Sequence, residues 1–141
     1  MKYIKNILLL LILIIGTGCV NPIKEVPVIK VNISLVEREG IVDIFSEKFT
    51  QDNVSYINRP KNTQADSFPA IATRTMITKG NDSIIGQWEM VQYTGSGNYS
   101  FNIGFHENHY PVRGDKIHIS VIVVDKNGER IGYLVKDIKW K

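Results

Sequence analysis

Apolar and polar residues alternate one by one along most of this chain, and that alternation limits the fold more than any other feature. From Val28 onward, Ile29, Val31, Ile33 and Leu35 share one side while Lys30, Asn32 and Ser34 share the other. Tyr99, Phe101, Ile103 and Phe105 alternate with Ser100, Asn102, Gly104 and His106, and Ile117, Ile119, Val121 and Val123 alternate with His118, Ser120, Ile122 and Val124. A period of two sets one face against a core and the other in water, and it belongs to an extended strand. The same reading gives strands in "NVSYIN" (Asn53 to Asn58), in "AIATRTMITKG" (Ala70 to Gly80, ending in the turn "KGND") and in "SIIGQWEMVQY" (Ser83 to Tyr93, closed by "TGSGN").

Further along, Asn127-Gly128 in "DKNGE" supplies the positive backbone dihedrals of a tight hairpin turn. The last strand carries Ile131, Tyr133 and Val135 on one parity and Ile138 and Trp140 on the other, which predicts a bulge near Lys136 and Asp137. One segment breaks the pattern. In "GIVDIFSEKF" (Gly40 to Phe49) the apolar positions Ile41, Ile44, Phe45 and Phe49 fall at helical spacing, which fits a short helix over 41–49 or a strand followed by a loop.

About seven strands separated by turn signals predict an all-β fold, an antiparallel sandwich over Val28 to Lys141 that resembles immunoglobulin-like or fibronectin-like domains. The resemblance is to an architecture. It makes Trp88 the counterpart of their central tryptophan, while an intersheet disulfide is excluded because Cys19 is the chain's one cysteine.

Ahead of the strands, Lys2 and Lys5 precede an unbroken aliphatic run from Ile7 to Ile15, followed by the small residues Gly16, Thr17 and Gly18 and then Cys19. Crossing ~30 Å of hydrocarbon takes roughly 20 apolar residues, so this run reads as an export signal more readily than as a span. Gly16-Thr17-Gly18-Cys19 resembles the lipobox of bacterial and archaeal lipoproteins, with Gly16 standing where that pattern usually has Leu, Val or Ile. The resemblance implies a signal peptide over 1–18 and a diacylglycerol group on Cys19, holding the chain at the extracytoplasmic face of the cell membrane. An ordinary cleaved signal with Cys19 beside the cut is the alternative. Residues 19–27, "CVNPIKEVP", form a tether too short for a flexible stalk, so the sandwich domain over 28–141 is expected close to the membrane surface.

Charge narrows the partners. Without Lys2 and Lys5 the chain has 15 basic residues against 14 acidic ones, with the lysines spread singly, so nucleic acid is not an expected partner. Catalysis finds no support either: Cys19 belongs to the leader, no Gly-x-Ser-x-Gly elbow is present, and Asp43, Glu47, Glu89, Asp125 and Glu129 are scattered singly. The expectation is a non-catalytic surface module that contacts another envelope protein or polymer.

A small-ligand binder is the alternative. His106, His109 and His118 lie within "FHENHYPVRGDKIH"; if the strands flanking this loop pair as neighbours, the three imidazoles could meet a zinc or copper ion, with Glu107 or Asp115 as a further ligand. A polar face that happens to include histidine explains the same residues. A glycan could instead meet exposed aromatics such as Tyr93, Tyr99, Tyr110 and Trp140. "RGD" at Arg113 to Asp115 matches an integrin-binding tripeptide, but a turn into the strand at Ile117 accounts for it, and "DKNGE" lacks the distal glutamate of a calcium loop. Asn32, Asn53, Asn81 and Asn98 each begin a glycosylation sequon.

Overall fold

The computed structural model describes residues 24–55, 67–86 and 88–141. The expected signal peptide, Cys19 and most of the tether lie outside the described residues, as does "NVSYIN" beyond Ser55. Two antiparallel sheets make up the fold, with no helix among the described residues. The first sheet has the order β2 (Ile41–Ser55), β1 (Glu25–Arg38), β6 (Gly97–Ile103). In the second, β4 (Asp82–Ile85) and β5 (Glu89–Gln92) both lie along one side of β3 (Ala70–Lys79), whose other side pairs with β7 (Lys116–Val124) and then β8 (Arg130–Lys139).

The alternation in β1, β6 and β7 points the expected faces inward. Ile29, Ile103, Ile117, Ile119, Val121 and Val123 are completely buried between the sheets. Each such side chain stabilises the fold by about 1.5–3 kcal/mol through its removal from water. Trp140, 6 % exposed, closes one end of this core edge-on to Phe105, with ring centroids 5.7 Å apart. Trp88, the expected central tryptophan, is instead 51 % exposed.

Segment 41–49 is strand, not helix, and a bulge explains its misleading spacing. Asn32 pairs with Lys48 and Ser34 with Phe45, so residues 46 and 47 stand opposite the single Ile33. Before that extra residue Val42 and Ile44 face inward; after it the inward position is Phe49. Ile41 and Phe45, which complete the helical pattern, point to solvent at 62 % and 45 % exposure. Asn53, Val54 and Ser55 of "NVSYIN" end this same strand; the rest of that run lies outside the described residues.

The same device appears twice in the second sheet. Thr73 pairs with Glu89 and Met76 with Ile85, so three residues span what two span on β3, and the run from Ser83 to Tyr93 is split into β4 and β5. The bulge expected near Lys136 and Asp137 is not there, since pairing is regular from Gly132 through Lys139; the extra residue is Ile131, because Val123 faces Gly132 and Val124 faces Arg130. Leu134 and Ile138 then pack on the core while Tyr133 stands outside. The β7–β8 hairpin also differs in detail, because only Gly128 has positive φ (82°), and Asp125 Oδ1 accepts from the N–H groups of Asn127 and Glu129, both at 2.9 Å. This is a three-residue loop with glycine at its left-handed position.

Two contacts join the sheets along β2 and β8. The Gln51 side-chain amide donates to the Lys141 carbonyl (2.7 Å) and accepts from its N–H (2.8 Å). At the other end Gly132 lies so near Val42 that an added Cβ would sit 3.0 Å from its carbonyl oxygen and 3.1 Å from its Cβ. Gly132→Ala should therefore cost about 1–3 kcal/mol, read as a lower denaturation midpoint with unchanged slope. The β1–β2 hairpin turns on Glu39 (φ 51°) and Gly40 (φ 78°), and glutamate is a poor occupant of that left-handed position. Glu39→Asn is expected to raise stability by about 0.5–1 kcal/mol in the same measurement.

Candidate functional site

The outward side of the second sheet is the surface the core does not require to be apolar, yet apolar side chains are mixed there with polar ones. Register aligns its side chains in rows: Ala72 beside Ile122 and Ile122 beside Tyr133; Arg74 beside Ser120 and Ser120 beside Val135; Met76 beside His118 and His118 beside Asp137. On the far side of β3, Met90 faces Ala72 and Ile85 faces Met76. Ile85 and Tyr133 are 56 % and 53 % exposed. A shallow depression of about 210 Å³ lies among Arg74, Thr75, Met76, His118 and Ser120.

The split between β4 and β5 sets the most prominent group on this side. Gly86 donates its N–H to the Thr75 carbonyl at 2.7 Å, and an added Cβ there would stand 2.2 Å from Thr75 Oγ1, so only glycine fits against β3. The chain then leaves the sheet and places the exposed Trp88 ring under the Arg74 guanidinium, 5.5 Å from ring centroid to Cζ. Arg130 covers Tyr133 in the same way at 4.9 Å. Each arginine–aromatic pair is worth about 0.5–1 kcal/mol at exposed sites, and it holds a flat side chain in a fixed pose.

The expected histidine site has a different geometry. β6 pairs with β1 and β7 with β3 and β8, so the strands flanking the loop are in different sheets and do not bring His106 beside His118. His106 and His109 share a turn in which the His109 N–H donates to the His106 carbonyl at 2.9 Å, whereas His118 Nδ1 lies 2.6 Å from Asp137 Oδ1. Among the described residues, no three His, Cys, Asp or Glu side chains are grouped to hold a metal ion. Glu107 is exposed, and Asp115, 8 % exposed, ion-pairs with Lys79 at 2.5 Å and accepts from the Val112 N–H at 2.8 Å. Asp115 thus closes the "RGD" turn, with Gly114 at φ 97°, and its carboxylate is turned away from any outside partner.

The four aromatics expected as an exposed platform are not one. Tyr93 and Trp140 are buried at 6 %, and Tyr99 and Tyr110 are partly buried against the core. Tyr93 donates to Glu37 Oε2 at 2.6 Å, and burial, reinforced by that carboxylate, pushes its hydroxyl well above the ordinary tyrosine range. All four sequon asparagines are exposed, but two are engaged: Ser100 donates to Asn32 Oδ1 and Ser34 donates to Asn98 Oδ1, so each sequon's hydroxyl holds the other's amide. Asn81 lies in the β3–β4 turn and Asn53 on β2. The Trp88, Tyr133 and arginine surface was missed in the sequence, although a signal exists: "VIVV" over 121–124 is apolar on both parities, as a strand with two apolar faces must be.

Three aspartates are held below the usual carboxylate range. Asp52 is lowered chiefly by its hydrogen bond from Lys30. At Asp115 burial works upward, but the Lys79 ammonium and the Val112 N–H outweigh it. At Asp137 the His118 hydrogen bond leads, burial opposes it, and Lys116 adds to the lowering. A carboxyl whose folded value is below its unfolded value of about 3.9 stabilises the fold fully above that value and loses this contribution as pH falls through the folded value. Thermal unfolding followed by circular dichroism should therefore show a melting temperature that drops below about pH 4. In Asp115→Asn the neutral-pH melting temperature should be lower and the acid drop smaller; parallel curves for the two proteins would contradict this assignment.

No protein-family model matches this chain, and no curated protein or solved structure matches it.

Proposed function

We propose that this protein is a non-catalytic lipoprotein, anchored through Cys19 at the extracytoplasmic face of a membrane, whose sandwich binds another envelope protein through the outward side of its second sheet. The observation that carries the reading is the pair of exposed aromatics, Trp88 and Tyr133, each fixed by an arginine on a face that also presents Met76, Ile85 and Ile122. Trp, Tyr, Met and Arg are the residues enriched where proteins meet, and aromatic and arginine anchors carry most of the binding energy there. With Arg74 and Arg130 on this face and Asp137 already hydrogen-bonded to His118, the matching partner surface is apolar with a carboxylate rim.

A non-catalytic role is supported by the acidic groups. Asp52, Asp115 and Asp137 are held below the usual carboxylate range by hydrogen bonds and neighbouring charges, the opposite of a general acid poised near neutral pH. Strand neighbours support an immunoglobulin-like reading of the sandwich: β1 beside β6, and β3, β7 and β8 in order, match strands B and E and strands C, F and G of that fold, with β2 connected differently. The lipid anchor rests on Gly16-Thr17-Gly18-Cys19.

In-cell photo-crosslinking tests both halves. A photoreactive residue at Ile85 should give a discrete protein adduct that one at Lys48, on the outward side of the first sheet, does not. Trp88→Ala together with Tyr133→Ala should reduce that adduct roughly tenfold or more while shifting the melting temperature only slightly, since both side chains are largely exposed. Mass spectrometry of the mature N-terminus should find diacylglyceryl-modified Cys19, and Cys19→Ser should release the protein from the membrane fraction. Equal adducts from Ile85 and Lys48, or an unmodified terminus elsewhere, would overturn the corresponding half.

A further inference from the structure

Four cations gather at one end of the sandwich. Lys116 and Lys139 pair directly across β7 and β8. Arg113 and Lys141 flank the point where the Gly114 N–H donates to the Trp140 carbonyl and the Trp140 N–H donates to the Asp115 carbonyl, both at 2.8 Å. All four are exposed, the Lys116 side chain at 62 %. Like charges set directly opposite in a sheet destabilise it, so Lys116 facing Lys139 is a cost the fold itself does not explain. Two carboxylates that bond there offset it only in part: Asp115 is turned inward to Lys79, and Asp137 is shared between His118 and Lys116. Val112, immediately before Arg113, is an isolated apolar side chain at 59 % exposure.

β1 also starts at this end, six residues after Cys19 in the sequence. Gln51, which pairs with Ile29 on β1, holds the main chain of Lys141. β1 begins at Glu25, and six residues of fully extended chain span on the order of 20 Å, so an anchor at Cys19 cannot reach the Glu39 turn at the far end of a strand 14 residues long. We infer that Arg113, Lys116, Lys139 and Lys141, with Val112 among them, rest on the anionic headgroups of the membrane that holds the anchor, standing the strands upright on its surface. Lysine and arginine gain from the negative potential of an anionic leaflet only within a Debye length of it, about 8 Å at physiological ionic strength, and a tether of at most about 20 Å lets this end come that close.

This inference rests on the lipid anchor of the proposed function, and the test separates the two. The full lipidated chain, whose Cys19 sulfur is occupied by the thioether, is prepared as Val112→Cys and as Glu39→Cys, each with an environment-sensitive fluorophore. It is reconstituted into vesicles of phosphatidylcholine alone or mixed equally with phosphatidylglycerol, containing headgroup-level bromolipid quencher. The fluorophore at 112 should be quenched roughly threefold or more over that at 39 in the anionic vesicles, and salt near 1 M, where the Debye length is about 3 Å, should remove the difference. Combining Arg113→Glu, Lys139→Glu and Lys141→Glu should remove it at low salt. Protein that stays with the vesicles but shows equal quenching at 112 and 39 overturns the headgroup contact and leaves the anchor standing. Protein that does not stay with the vesicles overturns the anchor, and the contact with it.

Discussion

Side chains on a strand change sides at every residue, so one extra residue turns everything after it inside out. The sandwich depends on this rule and on three places where it is used deliberately. The residues opposite Ile33 move the inward position from Ile44 to Phe49, the break between β4 and β5 lets Ile84 and Val91 both face inward, and Ile131 moves the inward set of β8 to Leu134 and Ile138. Without the first of these, the exposed Phe45 and the partly buried Phe49 would lie on the same side of β2. Bulges also bend and twist a strand, and two of the three occur in β2 and β8, the strands that meet where the two sheets approach.

That meeting is made by contacts which tolerate little change. Gly132 stands where any side chain would strike Val42, and the Gln51 amide takes both main-chain groups of Lys141 as a neighbouring strand would. A side-chain amide used in this way satisfies an edge that would otherwise present free hydrogen-bonding groups. It also fixes the level of the chain end, and with it Lys141 and the Trp140 ring that packs on Phe105.

Where burial is simple, the residues announce the structure. The inward sets of β1, β6 and β7 are legible because one polar face and one apolar face alternate without interruption. What was not legible has physical reasons. The apparent helix at 41–49 mixes two faces across a bulge, and no local residue type marks the position of the extra residue. The β1–β2 turn is carried by Glu39-Gly40, which lacks the asparagine that announces such turns. The histidine cluster failed as a geometric expectation because closeness along the chain says nothing about which sheet each strand joins. Trp88 looked like a core residue by type, but the strand interruption that throws it outward follows from a contact between Gly86 and Thr75, residues 11 positions apart.

The two proposed surfaces constrain each other. A sandwich standing on Arg113, Lys116, Lys139 and Lys141 has its strands near the membrane normal, and the outward side of the second sheet then faces sideways. Trp88 and Tyr133 would be presented parallel to the bilayer plane, within one strand length of the headgroups. A partner held in the same membrane would suit that proposed pose best, since it is spared part of the rotational freedom that association removes. A short tether, as proposed, would hinder a module that searches through solution and would favour one that meets its partner in the plane.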